Sequence, residues 1–161
     1  MSRTNFLKDQ EFFVRPAIKE DLNALVSLTI KAAEEISGFI LSEQVTREGV
    51  RVALTDPSKR CRYFVADNRS KQIIGQVMAC LEWDDRLNRE LVWLRRLYVQ
   101  SSSRRCGVAT ALCEHILAHP EFCEASAFLA TSLHQCDLGK STLRALQFRS
   151  ISEVFCRGTL V

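Results

Sequence analysis

The segment from Trp93 to Leu112 constrains the fold more than any other stretch of this chain. Apolar, aromatic and β-branched residues run from Trp93 to Val99, as in a strand. The pattern breaks at Ser101, Ser102 and Ser103, and from Gly107 onward Val108, Ala111, Leu112 and Ile116 recur at helical spacing. Between them lies Arg104-Arg105-Cys106-Gly107-Val108-Ala109, two cations followed by small side chains. A strand that feeds a helix through such a turn aims unpaired backbone N–H groups and the positive end of the helix at one point. Such a point suits a phosphate. Gly107 lets a ligand approach the backbone closely, and Arg104 and Arg105 add fixed charge on fork-shaped donors. Cys106 sits inside this turn, where its backbone matters more than its sulfur.

The remaining elements follow in order. Glu11 to Arg15 reads as a first strand, stopped by Pro16. Leu22, Leu25, Val26 and Ala33 mark a first helix, interrupted at Ser37-Gly38, and Ser42 or Thr46 opens a second that ends before Asp56-Pro57. Arg62 to Asp67 and Ile73 to Cys80, joined by a polar turn, predict a hairpin. Gly75 within it predicts a bulge or close packing. A charged turn from Glu82 to Glu90 leads to the fourth strand, Leu91 to Val99. After the third helix, ending near His119-Pro120, Ala125 to Thr131 predicts a fifth strand. Asp137 to about Phe148 predicts a fourth helix, and the tail from Ile151 a last strand. The order β-α-α-β-β-β-α-β-α-β, without repeat or linker, implies one α/β domain spanning residues 1–161, with its core over about 11–155.

Composition narrows the function. The 22 basic and 19 acidic residues leave a net charge of +3, too balanced and too scattered to indicate nucleic acid. No apolar run reaches membrane-spanning length and the N-terminus lacks a signal-peptide core. Seven cysteines, an odd number without any C-x-x-C pair, suit a reducing, cytoplasmic setting rather than a disulfide framework.

The stretch Leu97-Tyr98-Val99 followed by Arg104-Arg105-Cys106-Gly107-Val108-Ala109 resembles the acetyl-CoA signature of the Gcn5-related N-acetyltransferase (GNAT) family, Arg/Gln-x-x-Gly-x-Gly/Ala after a strand. Val14-Arg15-Pro16-Ala17 with Glu20-Asp21-Leu22 is similar to the opening of that family. The resemblance implies a mixed, mostly antiparallel sheet with flanking helices, in which parallel strands four and five splay apart to admit the pantetheine arm. It implies acetyl-CoA as co-substrate, no metal, and a primary amine of a small molecule or peptide as acceptor. Leu97, Tyr98, Val99, Arg104, Arg105, Cys106, Gly107, Val108, Ala109 and Thr110 would hold the cofactor. Glu34, Glu35 and Glu82 would bind the acceptor, with Asp84 and Asp85 also bordering its side.

The family's chemistry maps less completely. Arg95, Arg96 and Trp93 stand on strand four where a glutamate is common, and Leu143 falls where a tyrosine acid is common. Gln147-Phe148 replaces the usual Gly-Phe. The replacement catalytic candidates are Tyr98, His134 and Glu90, followed by Ser141 and Thr142. Only 13 residues follow Phe148, so the sheet lacks its last strand or a partner chain, as in a homodimer, completes it. A domain of this fold that binds acetyl-CoA or a partner protein without turnover is the alternative. Gly139-Lys140-Ser141-Thr142 imitates the end of a P-loop, but His134 stands where its first glycine belongs. His115 and His119 share a helix face without an evident third metal ligand.

Overall fold

The computed structural model describes residues 11–131 and 137–151. Five strands form one sheet in the order β1-β2-β3-β4-β5: β1 (Phe12–Pro16), β2 (Cys61–Asn68), β3 (Ile73–Asp84), β4 (Arg89–Val99) and β5 (Ala127–Ala130). The first four are antiparallel neighbours and β5 runs parallel to β4. Helices α1 (Leu22–Ser37), α2 (Glu43–Thr55), α3 (Val108–Leu117) and α4 (Asp137–Ala145) complete the described fold. The predicted class and the parallel β4/β5 pair stand, and the predicted order stands through α4. The tail strand and His134 lie outside the described residues.

Local chemistry sets the helix ends. Gly38, in the left-handed region at φ 68°, closes α1 with its N–H on Glu34 O, while Phe39 N–H reaches Ala33 O. Ser42 Oγ accepts from Val45 N–H at 3.4 Å and caps α2, deciding between the two predicted starts. Arg15 forks onto the buried Asp21 at 2.7 and 3.0 Å and onto Asp67, tying the first strand to the start of α1 and to β2.

Side-chain alternation along the strands divides the core into two layers. On one face Phe64, Ala66, Val77, Val92 and Leu94 pack with Val108, Leu112 and Ile116 of α3. Each buried aliphatic of this kind contributes about 1.5–3 kcal/mol. On the other face Tyr63 and Val65 pack with Leu25 and Val26 of α1 and Val50 of α2. Gly75 faces α3 closely: a Cβ there would meet Leu112 Cδ1 and Val108 Cγ1 at 3.2 Å and Tyr98 O at 3.3 Å.

Three boundaries differ from expectation. The Glu82–Glu90 segment is mostly strand, because Leu81, Glu82, Trp83 and Asp84 pair with Val92, Leu91, Glu90 and Arg89. The turn shrinks to residues 85–88, and Asp84 accepts from both the N–H and the guanidinium of Arg86. β5 is shorter than predicted because β4 pairs with it only over Leu91–Leu94. Helix α4 stops at Ala145, and Gln147 takes the left-handed conformation at φ 65° where a glycine would be unstrained.

Candidate functional site

Beyond Leu94, β4 has no partner on the β5 side among the described residues. A bulge lies at the same point. Met78 opposes Arg95 and Gln76 opposes Tyr98, so Val77 alone faces two residues, Arg96 and Leu97. Arg96 carries the irregularity at φ 58°. Past the bulge, Gln100 N–H donates to Ile74 O at 2.9 Å, turning Gln100 toward β3. Backbone alternation then turns Tyr98 toward β3 and the polar backbone of Leu97 and Val99 toward the open side. Val99 O indeed accepts from the Arg104 side chain at 2.9 Å rather than from a strand.

The chain continues through a 3-10 turn at Ser101–Ser103 into Arg105 at φ 61° and Gly107 at φ 83°. Ala111 N–H bonds to Gly107 O at 2.9 Å, so the N–H groups of Val108, Ala109 and Thr110 precede the first helical acceptor. These N–H groups, with the α3 dipole, make a cradle of the kind that suits an anion, beside the edge of β4. Cys106 Sγ donates back to Arg104 O at 3.3 Å, tightening the loop.

The two loop arginines differ. Arg104 closes its fork on Glu35 of α1 at 2.5 and 2.8 Å while its Nε holds Val99 O. Arg105 is exposed and faces solvent at the cradle. Tyr98 OH also donates to Glu35 Oε2 at 2.8 Å, and the Arg104 guanidinium lies 5.4 Å from the Tyr98 ring centre. Arg104 holds the Glu35 carboxyl below the usual range, aided by Tyr98. Burial, then the bond to Glu35, raises the Tyr98 phenol, so it stays protonated at neutral pH. Glu34, Glu35 and Tyr98 line a cleft of about 400 Å³ with Lys31, Gln100, Ser101 and Ser102. Glu35 enters it already paired.

The other candidates are not gathered here. Glu90 lies eight residues before Tyr98, roughly 25 Å along the strand. It lines a second cavity of about 320 Å³ with Trp83, Glu121, Phe122 and Glu124. Tyr98 turns to α1 whereas Glu90 stands on the α3 side, so the two cannot serve one thioester. Glu82, opposite Leu91, lies at that far end of the sheet as well, and Asp84 is bound to Arg86. Ser141 and Thr142 lie inside α4, and so does Gly139-Lys140, which removes the loop that a P-loop needs. His115 and His119 pack against the Phe64 ring, with centres 5.5 and 5.2 Å away, and His119 Nδ1 accepts from Glu121 N–H. Among the described residues no group of three or more His, Cys, Asp or Glu could hold a metal, and no helix is long and apolar enough to cross a membrane.

The bulge also places Arg95 and Arg96, and its position was not foreseen. Arg95 opposes Met78, which packs against the α1/α2 layer, while Leu97 packs into the α3 layer. Arg96 joins Arg95 on the α1/α2 side. Burial raises the Tyr63 phenol and pushes the Cys80 thiol up to about 12; against that trend both feel the positive charge of Arg96. The signal available in the sequence was two consecutive arginines inside a buried strand: strict alternation would drive one of them into the core.

The five-strand sheet with parallel β4 and β5, a bulged β4 and flanking helices defines a mixed α/β fold. A model of the acetyltransferase (GNAT) domain matches residues 59–148, and the chain belongs to that family. A possible acetyltransferase from Clostridium difficile 630 superposes with a TM-score of 0.79 at 21% identity, covering 93% of this chain and 98% of its own. A predicted acetyltransferase from Clostridium acetobutylicum, crystallised with acetyl-CoA, gives 0.76 at 15% identity over 92% and 96%. An aminoglycoside acetyltransferase from an uncultured soil metagenomic sample, in complex with sisomicin, gives 0.72 at 14% identity over 93% and 96%. At such identities these likenesses speak for the fold. No curated protein matches the sequence.

Proposed function

We propose that this chain is an acetyl-CoA-dependent N-acetyltransferase acting on a primary amine of a small molecule or peptide. One observation carries the reading: the bulged edge of β4, unpaired among the described residues, runs straight into the N-terminus of α3, so a thioester and a pyrophosphate have adjoining places. The pyrophosphate sits on the N–H groups of Val108, Ala109 and Thr110, with Gly107 allowing close approach and Arg105 adding charge. The pantetheine lies along Leu97 and Val99, whose backbone faces the gap.

The chemistry follows from this placement. The acceptor nitrogen, as the neutral amine, attacks the thioester carbonyl carbon. Charge moves to the carbonyl oxygen, where a β4 N–H at the bulge stabilises it. Collapse breaks the C–S bond, the amide keeps the acetyl group, and the CoA sulfur takes a proton while the nitrogen gives one up to water or a relay. Tyr98 is the candidate acid: its phenol is protonated, and the proton it gives up is replaced from water in the cleft beside it. Holding both reactants in line supplies much of the acceleration.

Calorimetry with acetyl-CoA tests the reading. The wild-type chain is expected to bind, and Gly107→Glu to lose binding, because it puts a carboxylate in the cradle and a side chain at φ 83°. An unchanged affinity in a folded Gly107→Glu chain removes the assignment. The dispersal of Tyr98 and Glu90 favours a second reading, acetyl-CoA binding without turnover. Release of free thiol with any amine excludes it.

A further inference from the structure

We infer that the acceptor carries a carboxylate, and that Arg95 and Arg96 are the residues that select it. The inference rests on the acetyl-transfer reading above and gives its acceptor a chemical class. The bulge puts two consecutive guanidinium groups on one face of β4, beside the point where the strand loses its neighbour and the thioester would lie. Both are exposed. Neither makes an ion pair among the described residues, although Arg15, Arg47, Arg51, Arg62, Arg86 and Arg104 all do. Arg95 is preset by the Trp93 ring, 5.1 Å from its centre. Arg96 is fixed at its backbone by the bulge. The Trp93 indole N–H is buried without a partner nearby. The exposed arginine donors therefore border the acyl position from the α1/α2 side, where Glu35 is already paired with Arg104 and Tyr98 and the Gln76 Oε1 opposite Tyr98 is buried.

This arrangement suits an anion and repels a polycation. A planar carboxylate accepts two parallel N–H···O bonds from a guanidinium fork, a geometry that an ammonium or an amide cannot reproduce. Two positive charges at the same place oppose a second cationic group on the acceptor. An amine with a carboxylate a few bonds away, as in an amino acid, meets both conditions: the carboxylate docks on the arginines and the nitrogen reaches the carbonyl carbon.

The test uses the full chain with acetyl-CoA and matched acceptors: L-alanine, β-alanine and γ-aminobutyrate, each beside its carboxamide, and spermidine as the cationic competitor. At least one carboxylate member is expected to show a KM about tenfold or more below its carboxamide. Arg95→Gln and Arg96→Gln should each raise that KM about tenfold, leave acetyl-CoA affinity and the melting temperature unchanged, and erase the preference over the carboxamide. Preference for a carboxamide or for spermidine, or a KM indifferent to both substitutions, overturns the inference. A binding arm needs no turnover: the N-acetylated products of the three acids, against their carboxamides, titrated with and without CoA. Carboxylate-selective binding lost in Arg96→Gln supports the inference even if no acceptor is acetylated, and its absence there overturns it. Acetyl-CoA calorimetry, read separately, reports on the acetyl-transfer reading itself.

Discussion

The two ends of the functional stretch differ in how they are built. At the β4–α3 junction every element of the cradle comes from consecutive residues, Arg104 to Thr110, and the strand and helix on either side fix its shape. On the face that carries Arg95 and Arg96, eight residues earlier at Arg96, nothing is local. The face presented there depends on a bulge against Val77, on α1 bringing Glu35 to Tyr98 and Arg104, and on where β5 stops pairing. A backbone cradle tolerates change in side chains because N–H groups and a helix dipole do its work. A side-chain face is rewritten by one inserted residue, since each slip of a strand exchanges its two faces.

The comparison breaks most visibly at Gly107. Gly107→Glu is expected to weaken acetyl-CoA binding by about a hundredfold or more, equivalent to about 2.7 kcal/mol, with little effect on the arginine face; calorimetry reads both arms. Gly75→Ala strikes the packing beneath both regions at once. Its new Cβ would press on Val108, Leu112 and the Tyr98 carbonyl, so denaturant unfolding should show a loss of about 1–3 kcal/mol and acetyl-CoA affinity should fall with it.

Gln147→Gly lies outside both regions and should stabilise by about 0.5–1 kcal/mol, because it relieves a left-handed residue after α4. Glu35→Gln should cost the least, about 0.5 kcal/mol, since its pair with Arg104 is half-exposed. The native carboxyl is depressed, so its contribution is full above the ordinary value of 4.5 and is lost as pH falls through the lower native value. Melting temperatures from pH 7 to pH 3 should therefore converge between wild type and Glu35→Gln at the acid end. An intact acetyl-CoA affinity in that variant would sharpen the contrast, showing that the junction holds the cofactor without α1.

Much of this was legible in the residues. The alternation in β2 and β3 and the stripe on α1, the Ser42 cap and the glycine at the head of α3 each speak through chemistry within a few positions, where periodicity and capping act. Extents were read less well. The Glu82–Glu90 stretch looks like a turn because its charges are dense, yet cross-strand pairing with Leu91 and Val92 makes most of it ribbon. Glu90 and Tyr98 were both catalytic candidates on strand four, Glu90 at its far start. Strand geometry separates them by length and by face.

The sequence by itself determined the class of fold, the element order through α4 and the strand–turn–helix at residues 104–110, because each is carried by short-range pattern and backbone geometry. Tertiary structure alone decided the rest. It spent Arg104 on Glu35 and Val99 while leaving Arg105 exposed, and it turned Arg95 and Arg96 to the same side. Those outcomes depend on which strand stands opposite and which helix lies above. The contacts join residues up to 69 positions apart, beyond the reach of any local pattern.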